Sequence, residues 1–158
     1  MSNEVKMFFI GSDHAGYVLK EKLIQYMQKM HPLRAVINLG CFSEVSCDYP
    51  DVVKDFKKQI NKIKKDIDYD KPIGLFVCGS GIGMTIAANK VKNIRAAVCN
   101  NLETVFSAKL HNNINVLCLG ARVLKNEADA TRILDAFFQL EFENVPRHLK
   151  RVQKLNKM

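Results

Sequence analysis

The sequence predicts an α/β fold: a three-layer αβα domain on a five-stranded parallel sheet, closed by an extended C-terminal helix. Three observations carry this. Five apolar runs rich in β-branched residues recur at 7–10, 35–39, 73–77, 96–99 and 116–119. Amphipathic stretches of helical length separate them, near 16–30, 50–65, 83–92, 102–111 and 126–139. The runs are continuously apolar, as strands covered on both faces are, and right-handed crossovers put helices on each face.

The chain of 158 residues is expected to form one domain over 1–158. At that length a fold buries roughly two-thirds of its unfolded surface. Apolar residues make up 47% and charged residues 25%, the balance of a globular protein in water. The apolar run 7–10 is too short for a signal-peptide core, and no stretch approaches the length of about eighteen apolar residues that a spanning helix needs. A cytoplasmic protein that does not engage a membrane is expected. Cys41, Cys47, Cys78, Cys99 and Cys118 include no Cys-x-x-Cys pair, so free thiols are expected, with no structural metal and no disulfide framework.

The elements can be justified in order. The first strand ends in Gly11-Ser12-Asp13-His14. Asp13 can cap the helix that follows, with His14 at the surface, but both also stand at a strand's carboxyl end, where open parallel sheets bind ligands. The second strand ends in Gly40-Cys41. The helix over 50–65 sets Phe56, Ile60 and Ile63 at helical spacing against a lysine-rich face, which reads as solvated, and a charged loop follows over 66–71. The third strand ends in Cys78-Gly79-Ser80-Gly81-Ile82-Gly83 and leads into a helix. Three glycines in five positions bring backbone N–H groups and a helix N-terminus toward one point, which favours an anion. Residue 84 is Met where a dinucleotide-binding Rossmann fingerprint needs Gly, and the Gly-Lys-Ser/Thr of a Walker loop is missing. Cys78 reads either as a small core residue or as a thiol that can take a proton from carbon next to a carbonyl. In the second case the loop N–H groups and Ser80 hold the enediolate.

The fourth strand leads through Asn100-Asn101 into a helix that ends at His111-Asn112-Asn113. Imidazole suits proton transfer near neutrality, although a lone exposed histidine is commonly inert. The fifth strand closes with Gly120-Ala121-Arg122. Residues 146–158 supply five of the formal net charge of +8. This basic helix reads as a solvated face, a nucleic-acid patch or a site for a phosphorylated small molecule. No aromatic RNA-binding pattern or zinc-finger spacing supports nucleic acid. Arg147 and Arg151 lie one turn apart and, with Arg122, can clamp a phosphate.

Taken together, Ser12-Asp13-His14-Ala15-Gly16, Cys47-Asp48-Tyr49-Pro50, Cys78 to Gly83 leading into Ile86-Ala87-Ala88-Asn89-Lys90, His111-Asn112-Asn113 and Gly120-Ala121-Arg122 resemble the B-type ribose-5-phosphate isomerases. This family also includes the galactose-6-phosphate and allose-6-phosphate isomerases, and the resemblance runs in order from about residue 8 to residue 153. It implies a Rossmann-like fold and a cofactor-free, metal-free interconversion of ribose 5-phosphate and ribulose 5-phosphate through a cis-enediolate, a step of the pentose phosphate pathway. The family takes its base either as Cys at the position of Cys78 or as Glu at that of Met84; methionine cannot serve, so Cys78 is the base. His111 is implied to open the sugar ring with help from Asp13, and Ser80 with the backbone of Gly79, Gly81, Ile82 and Gly83 to hold the enediolate. His14, Tyr49 and Asn112 are implied to meet sugar hydroxyls, and Arg122, Arg147 and Arg151 the phosphate. A homodimer with shared sites is implied, with a tetramer as the larger assembly. The alternatives are a six-carbon sugar phosphate as substrate, or a non-catalytic protein that binds phosphosugar or nucleic acid. The longer, more charged segment 59–71 departs from the family pattern without touching these motifs.

Overall fold

The computed structural model describes residues 6–158. Its elements are β1 (Lys6–Ser12), α1 (Tyr17–Met30), β2 (Arg34–Asn38), α2 (Tyr49–Ile63), β3 (Gly74–Cys78), α3 (Ile82–Ala88), β4 (Ala96–Val98), α4 (Leu102–Asn112), β5 (Val116–Gly120), α5 (Glu127–Gln139) and α6 (Pro146–Leu155). All strand pairings are parallel, in the order β2-β1-β3-β5-β4. The expected alternation therefore holds, with boundaries shifted by a few residues.

The alternation of side chains along a strand divides the core in two. Phe8, Ile10, Leu75, Val77, Leu117 and Leu119 face one layer, with Leu23 and Met27 of α1, Val105 of α4 and Ile133, Leu134 and Phe137 of α5. Phe9, Phe76, Cys78, Val116 and Cys118 face the other, with Val52, Val53, Phe56 and Ile60 of α2 and Met84 and Ala88 of α3. The ring of Phe56 meets Phe9 and Phe76 edge-on at 5.3 and 5.0 Å, and such pairs add about 0.5–1.5 kcal/mol each beyond burial. With that face of α2 buried, the lysines on the rest of the helix are left in water.

Central strands β3 and β5 are wholly buried, whereas β2 and β4 lie at the edges and are half-exposed. From β1 the chain passes to β2 on one side, then crosses back to β3 on the other. A crevice opens where those directions part, beyond the carboxyl ends of β1 and β3. At the opposite edge Arg95 ties the loops together. Its Nε donates to Asn113 O at 2.7 Å, and its two terminal nitrogens reach Asn156 Oδ1 at 2.8 Å and Tyr69 O at 2.7 Å. The segment 66–71 is thus anchored through Tyr69 to α4 and α6.

Candidate active site

β3 delivers Cys78 to the crevice because the strand's alternation turns this side chain toward the α2/α3 layer. Its residue is 4% exposed. The chain then turns through Gly79, Ser80 and Gly81. Gly81 has φ 82°, and a Cβ there would meet Val98 Cγ2 at 2.6 Å, so both backbone and space require glycine. The turn folds Gly81 N–H back onto Cys78 Sγ at 3.1 Å, and Ile82 N–H donates to Ser80 Oγ at 3.2 Å. Two of the loop's N–H groups are therefore occupied within the loop, which narrows what the segment 79–83 offers a ligand. The side chain of Ile82 is exposed.

Around the sulfur lies an open cavity of about 340 Å³ lined by Asp13, Tyr49, Cys78, Gly79, Ser80, Gly83, Arg122 and Val123. Asp13 is 8% exposed, and its Oδ1 accepts Gly16 N–H at 3.0 Å. That bond lies in the turn before α1 and leaves the helix without a side-chain cap. Tyr49, at the first turn of α2, lays its ring over Gly83, where a Cβ would come within 2.8 Å of it. Arg122 follows β5, its N–H donating to Gly79 O at 2.9 Å and its guanidinium lying over Gly79. Met84 is fully buried in the α2/α3 layer. His14 is not among the residues lining the cavity; its Nδ1 lies 3.3 Å from Cys47 N and 3.4 Å from Cys47 O, so it braces the loop before Tyr49. Val123 was not singled out by sequence; a lone exposed valine after a strand gives no signal.

A second cluster forms apart from the first. His111 stacks on His148 with centroids 4.5 Å apart and planes within 5°. Arg147 Nε lies 3.2 Å from His148 Nε2, and Glu143 Oε2 4.0 Å from His111 Nε2. Burial, together with Arg147 and the neighbouring His111, pushes the His148 imidazole below its ordinary value, favouring the neutral ring. Arg147 and Arg151 are exposed on α6, and Asn112 is exposed beside His111. His148 and Glu143 were missed by sequence; the signal was His148 four residues before buried Val152 on α6.

The two clusters lie toward opposite ends of the parallel strands. α4 starts just past β4 and runs back, so His111 in its last turn lies near the start of β5, while Cys78 pairs with Gly120 at its end. β5 alone separates these levels by roughly 13 Å at 3.3 Å per residue. A single chain thus gathers Asp13, Tyr49, Cys78, Ser80 and Arg122, but not His111, Asn112, Arg147 or Arg151.

Among the described residues, His111, Glu143 and His148 place potential metal-ligating atoms within 4.8 Å of one another. Stacked rings hold their lone pairs in two separate parallel planes, which do not converge on one ion, and Arg147 Nε faces His148 Nε2. The arrangement suits an anion better than a divalent cation. No helix among these residues is long and apolar enough to cross a membrane.

Comparison with known proteins agrees with this geometry. A profile of the ribose/galactose isomerase family matches residues 8–155. Ribose-5-phosphate isomerase B of Escherichia coli is 32% identical over 151 residues, covering 96% of this chain and 95% of that protein. Ribose 5-phosphate isomerase B of Anaplasma phagocytophilum superposes with a TM-score of 0.81 at 38% identity, covering 98% and 99% of the two chains. The Mycoplasma genitalium ribose-5-phosphate isomerase B, solved with bound ribulose-5-phosphate, superposes at 0.82 with 33% identity over 96% and 94%.

Proposed function

The chain belongs to the ribose/galactose isomerase family, and from that premise we propose that it interconverts ribose 5-phosphate and ribulose 5-phosphate without a metal or cofactor. The observation that carries the reading is the cavity that collects Cys78, Ser80, Asp13, Tyr49 and Arg122 at the β1/β3 crevice. In the open-chain sugar, the Cys78 thiolate takes the proton from C2. The electron pair moves into a C1–C2 double bond, and the carbonyl oxygen becomes an enediolate oxygen. Ser80 and the loop backbone hold this charge where it develops. Return of the proton from sulfur to C1, with transfer of the hydroxyl proton between the two oxygens, gives the ketose.

Ring opening needs a proton carrier on the sugar's far side, and here the reading extends to an assembly. His111 of the partner subunit fills that role opposite Asp13, and the partner's Arg147 and the partner's Arg151 join Arg122 around the phosphate, with the partner's Asn112 and this chain's Tyr49 and His14 toward hydroxyls. Support comes from the separation of the two clusters within one chain and from the exposed apolar residues Ile82, Ile86, Leu102 and Phe106 on α3 and α4. Such residues are ordinary inside an isologous interface. Five free thiols suit a reducing cytoplasm.

Purified, chelator-treated protein is expected to turn over ribose 5-phosphate faster than allose 6-phosphate or galactose 6-phosphate, measured by ketose formation. Preference for a hexose phosphate overturns the pentose reading. Activity lost to the chelator and restored by one divalent ion overturns the metal-free scheme.

A further inference from the structure

We infer that Asn100 is a positioning residue for the catalytic thiol, acting through the Ser80–Gly81 peptide; this rests on Cys78 as the base. Asn100 follows β4 and makes two hydrogen bonds. Its Oδ1 accepts Gly120 N–H at 2.7 Å, and its Nδ2 donates to Ser80 O at 3.3 Å. The partners fix the orientation of the amide, since a backbone N–H can only donate and a carbonyl can only accept. Ser80 O belongs to the same peptide unit as Gly81 N–H, and that N–H points at Cys78 Sγ.

A trans peptide holds its O and H in one rigid plane, pointing in opposite directions across the C–N bond. Holding the carbonyl from one side therefore aims the N–H on the other. Asn100 grips one end of this plane and the sulfur receives the other, so the bonds form a chain from the Asn100 amide to Cys78 Sγ. Bonds in such a chain polarise one another, and a polarised N–H is a better donor to a thiolate than to a thiol. Gly120 supplies the fixed point. A Cβ on it would meet Ser80 O at 2.6 Å, so the end of β5 and the Cys78 loop are in direct contact at the place where Asn100 joins them. Asn100 does not line the cavity that holds Cys78. Its effect therefore falls on the chemical step and not on sugar binding.

The test uses Asn100→Asp, which keeps the acceptor for Gly120 N–H and loses the donor to Ser80 O, and Asn100→Leu, which loses both without adding charge. Each is assayed for ribose 5-phosphate turnover and for the rate of iodoacetamide alkylation at each cysteine, resolved by peptide mass spectrometry at one fixed pH. Both variants are expected to lose about tenfold in kcat with KM within about twofold, the scale of one hydrogen bond. Cys78 should be alkylated more slowly while Cys41 and Cys47 react as before. A loop that has merely loosened would expose the sulfur and speed its alkylation, so faster or unchanged reaction at Cys78 in both variants overturns the proposal, as does unchanged kcat. The base assignment fails separately, if Cys78→Ser retains turnover; the alkylation rates still report whether Asn100 acts on the sulfur.

Discussion

At the scale of the residue, the proposed chemistry turns on one sulfur whose surroundings the backbone has arranged. Cys78 is buried but borders the cavity, and Gly81 N–H donates to it. Replacement by serine is nearly isosteric and keeps an acceptor for that N–H, so the loop should stay as it is. A hydroxyl is far too weak an acid to carry the proton at neutral pH. Cys78→Ser is therefore expected to lose at least about a hundredfold in kcat while still binding a phosphosugar inhibitor by calorimetry. Near-normal turnover would show that the base is another group. The remaining thiols are differently placed: burial pushes Cys99 up to about 11 and Cys118 up to about 12, which keeps both as neutral core residues.

At the scale of the element, α4 carries an unusual load. Its last turn presents His111, and its inner face buries Lys109, whose ammonium donates to Ile114 O at 3.3 Å and faces the Phe137 ring at 5.4 Å. Burial first, then the charges of Arg95 and Lys71, bring Lys109 down to about 8. The sign of the resulting pH dependence follows directly. Between about pH 8 and the unfolded value of 10.5 the unfolded chain holds a proton that the folded chain has released, so this group makes stability rise with pH. Below that window the fold bears the full cost of a buried ammonium. Urea unfolding of wild type and Lys109→Met across pH 7–10.5 should differ most at pH 7. The variant should lack a rise on the order of 3 kcal/mol, from about 1.36 kcal/mol per pH unit. A wild-type curve no steeper than the variant's would show that burial does not lower the pKa of the Lys109 ammonium, so that folded and unfolded chains hold its proton alike across this range. α6, by contrast, is a strongly two-sided helix that buries His148 and Val152 and leaves its arginines outside.

At the scale of the whole molecule, the two clusters lie toward opposite ends of the parallel strands, and the proposed scheme completes one site with a second copy. In the proposed isologous dimer each site would take Cys78 from one chain and His111 from the other, related by the twofold axis. Inactive Cys78→Ala and His111→Ala subunits can be exchanged by mild denaturation and refolding. A mixed dimer then holds one site with both lesions and one with neither, so purified mixed dimers should recover activity approaching half that of wild type, a symmetry estimate. If both residues serve within one chain, every site keeps a lesion and mixing restores nothing.

The sequence by itself determined the class of the fold and the order of its elements, because apolar continuity and helical period are local properties of the chain. It also marked Asp13, Cys78, Ser80 and Arg122, since each stands at or just beyond a strand's carboxyl end, positions that a linear reading can find, whereas Tyr49 was marked only by the family resemblance. Strand order was not legible: the placement of β5 inside β4 depends on which runs are buried on both faces, and only packing decides that. Nor was the stacking of His148 on His111, or the grip of Asn100 on the Cys78 loop, because these contacts join residues far apart in the chain. The tertiary structure alone decided which strand lies beside β3 and that His148 seats against His111, whereas the placing of Cys78 and His111 toward opposite strand ends already follows from chain order. A helix returning antiparallel to its strand carries its last turn to the far end of the sheet, whatever residue stands there.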